Sequence, residues 1–209
     1  MLSLAVLLVG ASAGRAQETC IEQIKFPEVG RWAEYQALYN KKDPYKIRYA
    51  VVGSEKRGGK DLKWLELRMI GEKKDGNIVY QMLVPGSAAE LGNVEEIVMK
   101  PGDKPAVKMD GMMLKMIRGQ MEKRSFLNDA CKDVTLVGPE SVTVPAGKFQ
   151  TQHFRSDKYT SDTWLTSGIP FAMVKSVGKN YEMALRSYGD DAKSSITEVP
   201  QSMGGEAKR

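Results

Sequence analysis

The side chains in this sequence that could do chemistry are few and scattered. There is one histidine, His153, with two cysteines, Cys20 and Cys131, and twelve methionines. A single imidazole excludes a multi-histidine metal site and leaves one candidate base for a hydrolytic triad. His153 sits inside the run FQTQHFRS, and no G-x-S-x-G nucleophile elbow accompanies it. Glu95-Glu96 and Asp190-Asp191 are adjacent acids on turns or strand surfaces. Successive strand residues point to opposite faces, so neither pair suits two carboxylates working on one substrate. The glycines and lysines from Lys56 to Lys60 lack the spacing of a phosphate-binding loop. These residues lead us to expect a protein that is not an enzyme and has no cofactor.

The remaining reactive atoms are sulfurs. Met109, Met112, Met113 and Met116 follow a three-four spacing, extended by Ile117 and Met121, while Lys115, Arg118, Glu122 and Lys123 fall largely elsewhere on the wheel. That pattern predicts an amphipathic helix within Met109–Leu127, with Asp110 as its N-cap. Gly119 weakens it by roughly 1 kcal/mol relative to Ala. Five of the twelve methionines lie here. Their flexible, polarisable side chains suit a surface that accepts varied apolar partners. The same stripe would also serve simply to pack on a sheet. Thioethers are soft ligands, so the four methionines are also a candidate Cu(I) site. The expected ligand-binding residues are Met109, Met112, Met113 and Met116, with Trp64 and Trp164.

The elements that must hold these residues begin after a signal-like N-terminus. Leu2 to Val9 is a short apolar run followed by small residues, with Ala11-Ser12-Ala13 or Gly14-Arg15-Ala16 as cleavage sites. A bilayer span needs about 20 apolar residues, so residues 1–16 read as a signal peptide and not a membrane anchor. The expected location is the periplasm or the exterior. There Cys20 and Cys131 either pair or remain two separate thiols, and a lone exposed thiol is unfavourable in an oxidising compartment. Net charge is +5, with 31 basic against 26 acidic residues. The basic residues are dispersed among acids and form no stripe, which argues against nucleic-acid binding.

From Gly30 onward the dominant rhythm is period two. Tyr45, Ile47, Tyr49 and Val51 alternate with polar residues; Leu65, Leu67 and Met69 form one face of a strand that carries Trp64 on the other. Gly58-Gly59 and Asp75-Gly76 are hairpin turns. Further strands are expected over Ile78–Val84, Val94–Lys100, Val134–Val137, Ser141–Val144, Phe149–Arg155, Tyr181–Tyr188 and, as a short edge strand, Ile196–Val199. Strands recurring with turns between them predict a large antiparallel sheet in one domain over residues 17–199. Residues 200–209 are small and polar and read as a frayed tail.

Two stretches carry a resemblance. Val142, Val144, Pro145, Ala146, Gly147 and Phe149 form a V-x-V-P-A-G-x-F hairpin motif. Trp164, Leu165, Ile169, Pro170, Met173, Val174 and Lys175 follow as W-L-x-x-x-I-P-x-x-M-V-K. Together they resemble the LolA-like, lipoprotein-carrier type of superfamily and its relatives among secreted bacterial proteins. The resemblance implies a mainly β (α+β) fold: a curved, open antiparallel half-barrel wrapped on a helix, with an apolar hollow between them. In the carriers that hollow takes acyl chains, so the expected partner is a lipid or acyl chain. The alternative is an envelope interaction module with a packed interior, partnered by another envelope protein.

Overall fold

The computed structural model describes residues 10–40, 42–71, 77–86, 93–123 and 131–202. A helix, α1 (Gly10–Gln23), precedes the strands β1 (Trp32–Tyr39), β2 (Lys42–Arg57), β3 (Lys60–Ile70), β4 (Ile78–Pro85), β5 (Glu96–Pro101) and β6 (Val107–Met109). Helix α2 (Gly111–Lys123) then interrupts. The chain continues as β7 (Thr135–Val144), β8 (Gly147–Ser156), β9 (Ser161–Leu165), β10 (Met173–Gly178), β11 (Tyr181–Gly189) and β12 (Gln201–Ser202). All twelve strands form one sheet in the order β12-β6-β5-β4-β3-β2-β1-β11-β10-β9-β8-β7. The pairings are antiparallel except β12 on β6, and the two end strands do not meet, so the sheet stays open. The expected fold class is the one observed.

Alternation sets which side chains enter the core. Ala33, Tyr35 and Ala37 of β1 lie beside Ile47 and Val51 of β2, Leu65 of β3, Met82 and Val84 of β4, and Ile97 of β5. Each of these is buried because period two keeps it on one face of its strand. The β2–β3 hairpin turns at Gly58-Gly59, with φ of +55° and +79°, the backbone that Gly-Gly was expected to supply. Asp75-Gly76 lies outside the described residues.

The face of the sheet that carries this core is covered by the protein's own side chains. Helix α1 contributes Cys20, and Ile24 and Phe26 follow it. Cys20 is joined to Cys131, which settles the pairing left open by the sequence. The loop after β9 contributes Ile169, Phe171 and Ala172. Phe171 and Ala172 both have positive φ, 61° and 59°, and this bend drives the Phe171 ring inward against Phe26 and Tyr49, at 6.4 and 5.7 Å between centroids. The α1 helix runs through both anticipated cleavage sites and leaves Cys20 on their downstream side.

Several elements differ from the sequence reading. Val134–Val137 and Ser141–Val144 were expected as separate strands but form one continuous β7. A register shift between Leu136 and Gly138 absorbs the irregularity. Ile196–Val199 is not a strand. It belongs to a strap over residues 190–202 that crosses the other side of the sheet. Ile196 is buried there with Val98 and Ala106, and Trp64 and Val79 pack on this group. The pairing strand is Gln201–Ser202, at the start of the expected tail. The strap is anchored along its length. Ala192 N donates to Gly30 O at 2.9 Å, and Ser195 N and Oγ donate to Glu66 at 2.9 and 2.6 Å. Ala106 N donates to Glu198 Oε1 at 3.2 Å.

Candidate functional site

Helix α2 is where the sequence placed an apolar binding surface, and the structure turns it around. Leu114 and Ile117, three residues apart, pack on the core. On the same side, the Arg118 guanidinium donates to the carbonyls of Val94 and Glu95. Those contacts set the helix rotation. At 100° per residue, Met112 and Met116 must then point away from the sheet. Met112 is 87% exposed, Met116 52% and Met113 36%. The expected pose, with these sulfurs against a concave face, is therefore corrected: a Leu–Ile pair and a bidentate Arg anchor outcompete the methionines for the inward side.

Met109 does not belong to the helix. It ends β6, opposite Ile97, and is buried. Asp110 offers its carbonyl to Leu114 N, and its carboxylate accepts from Ser202 Oγ at 2.8 Å. Because Met109 faces the core while Met112 and Met116 face outward, the four sulfurs share no common side. That removes the geometric basis for a Cu(I) site. Among the described residues, no group of three or more His, Cys, Asp or Glu side chains is arranged to hold a metal.

The two tryptophans do not line one hollow. Trp64 lies under the strap, its indole donating to Glu55 at 3.2 Å. Trp164 is five places away in strand order, on β9. Its Nε1 donates to Glu140 Oε2 at 2.9 Å. It is flanked by its register partners, His153 on β8 and Lys175 on β10. The imidazole stacks on it at 4.5 Å and 19°, and the ammonium lies 5.9 Å from the ring centre.

This second cluster joins polar side chains from three strands. His153 Nδ1 lies 3.0 Å from Glu140 Oε2 and Nε2 lies 2.7 Å from Asp162 Oδ1. Arg155 Nε reaches the same Asp162 oxygen at 2.8 Å. Burial pushes the Asp162 carboxyl up, but hydrogen bonds from Arg155 and His153 outweigh it and hold the group below the usual carboxylate range. Alternation places this row opposite Phe154, Thr163 and Ser176, which are buried. Sequence reasoning singled out His153 but not its partners, because Glu140 and Asp162 come from other strands and meet it only through register. The cluster includes no Ser or Cys nucleophile against the imidazole, and both ring nitrogens are already engaged.

An open cleft of about 350 Å³ lies elsewhere, lined by Gln36, Pro44, Tyr45, Lys46, Ile70 and Arg186 among others. Two cations in its wall make it unlike the apolar hollow expected for an acyl chain.

No protein-family model matches this sequence, and neither does any curated protein. Among solved structures, the chain is similar to a "putative exported protein with YmcC-like fold" from Bacteroides fragilis NCTC 9343. The TM-score is 0.42 at 12% identity, covering 79% of this chain and 99% of that one. It is also similar to a "putative lipoprotein" from Parabacteroides distasonis ATCC 8503, with a TM-score of 0.38 at 12% identity, covering 79% and 98%. No helix among the described residues is long and apolar enough to cross a membrane.

Proposed function

We propose that this chain is a non-enzymatic protein of the bacterial envelope, periplasmic or secreted, that binds a lipid acyl chain on the outward side of α2. The observation that carries this reading is the exposure of Met112, Met113 and Met116 together on one helix. Leaving three large apolar side chains in water forgoes burial worth about 1.5–3 kcal/mol for each one fully covered, so a partner that covers them gains it. Thioether side chains adapt to a flexible tail, each buried methylene contributes about 0.8 kcal/mol, and exposed Lys115 stands beside them to meet a phosphate headgroup. An oxidising compartment is supported by the Cys20–Cys131 bridge and the signal-like N-terminus. The absence of enzymatic activity is supported by His153, whose two ring nitrogens both face carboxylates. The test is co-sedimentation with vesicles of phosphatidylethanolamine and phosphatidylglycerol, comparing the unmodified chain with Met112→Ser/Met116→Ser. Binding that falls at least tenfold in the variant supports the reading; equal sedimentation, or none in either, refutes it.

A second reading is an envelope interaction module with no ligand. It is favoured by the interior, where Tyr35, Phe154, Phe171 and Leu185 are almost wholly buried by other side chains. On this reading vesicles are ignored, and crosslinkers placed at Met112 capture an envelope protein in intact cells.

A further inference from the structure

The His153 cluster is built beyond what packing on a sheet requires. A neutral imidazole has one N–H and one lone pair, whereas an ionised carboxylate only accepts hydrogen bonds. Glu140 on β7 and Asp162 on β9 face opposite nitrogens of this ring, at 3.0 and 2.7 Å. Both contacts are hydrogen bonds only when the ring carries two protons. Remove one, and a lone pair points at a carboxylate oxygen at contact distance.

Charged and aromatic groups surround the ring on every side. The indole face of Trp164 stacked on the ring attracts a cation. Lys175 of β10, beyond Trp164, is paired with Glu182 of β11 at 3.1 Å. Arg155 of β8 completes the set. With an imidazolium, the carboxylates Glu140, Asp162 and Glu182 meet the cations Arg155, Lys175 and His153 one for one. A neutral ring leaves an unbalanced negative charge beside a side chain that is only 7% exposed.

The position of β7 gives this consequence. Among the described residues it is an end strand of the sheet, with β8 as its one ladder partner. Glu140 ties it further, because one carboxylate oxygen takes both His153 Nδ1 and the Trp164 indole, binding β7 to β9 across β8. We propose that His153 is a proton-operated latch on this sheet edge: the imidazolium clamps Glu140 of β7 to Asp162 of β9, and loss of a ring proton loosens β7. Two ring protons close the edge, so the clamp is complete while the ring carries both and is lost when one leaves. Asp162, held below the usual range, stays ionised on the acid side and keeps its half of the clamp.

His153 is the one histidine in the chain, so its ring nitrogens can be followed by nitrogen NMR without assignment ambiguity. Across about pH 5 to 9, the ring's protonation is recorded together with hydrogen exchange of the β7 amides that pair with β8, corrected for intrinsic rates. The expected result is two N–H protons at the acid end, and protection of those amides falling roughly tenfold as one proton leaves, the scale of one charged hydrogen bond. His153→Gln should show no step in this range. Protection in the unmodified chain that ignores the protonation state, or a ring that stays neutral throughout, overturns the proposal whether or not the variant folds. Glu140→Gln, altering a side chain 49% exposed, should shrink the step; an undiminished step would count against the clamp.

Discussion

Removing the Cys20–Cys131 bridge should cost this protein a large part of its stability. The two residues are 111 apart in sequence. In the chain-entropy treatment, closing a loop of that length restricts the unfolded chain by about 16 cal/mol/K, or about 5 kcal/mol at 25 °C. Removing a native bridge commonly costs about 2–5 kcal/mol, so we expect a loss within that span for Cys20→Ala/Cys131→Ala. Both positions are buried, 0% and 1% exposed, so replacing the sulfurs also removes packing beside Ile24 and Val134 and pushes the loss toward the upper end. With a urea dependence of about 2–3 kcal/mol per molar, the unfolding midpoint should fall by roughly 1–2 M. The assay is urea denaturation followed by far-ultraviolet circular dichroism, on the unmodified protein with and without reductant and on the double variant. Thiol alkylation in the native state should label neither cysteine. A midpoint that moves by less than about 0.3 M, with ready labelling before unfolding, would refute the reasoning.

Two other outcomes test the strap that closes the opposite side of the sheet. Gly30 has φ of +93°, and a Cβ there would lie 2.7 Å from the Asp190 carbonyl oxygen, whereas Gly58, at φ +55°, has open space around it. Gly30→Ala should therefore lower stability by about 2–4 kcal/mol and Gly58→Ala by about 1 kcal/mol; equal thermal-unfolding losses would contradict this. Glu198 accepts from Lys100 Nζ at 2.6 Å, and chiefly this bond holds its carboxyl down at about 2. Its folded value lies below the unfolded one, so its contribution is present above about pH 4.3 and disappears as pH falls toward about 2. A carbon NMR titration of Glu198 should show that low midpoint, returning toward the ordinary range in Lys100→Gln; an ordinary midpoint in the unmodified chain would be inconsistent with the ion pair.

Local chemistry in the chain was enough for most of the strands, the Gly58-Gly59 turn and α2, but not for α1, β6 or β12, and it placed a strand at Ile196–Val199 where the strap runs. Tyr45-Ile47-Tyr49-Val51 and Leu65-Leu67 declare a buried face because side chains alternate in any extended backbone, whatever lies above them. Gly58-Gly59 declares a hairpin because few other residues adopt two successive positive φ values cheaply. What no local pattern could decide was the rotation of α2. A stripe of methionines and a Leu–Ile pair are both apolar enough to be buried, and the choice fell to Arg118 finding the carbonyls of Val94 and Glu95. The same holds for Phe171, which fills the interior only because the 166–172 loop bends it inward, and for Glu140, His153 and Asp162, which three separate strands bring together. Contacts between residues distant in sequence depend on how strands register and curl, and that is settled by the whole fold minimising its exposed apolar surface and unpaired polar groups, not by any one segment.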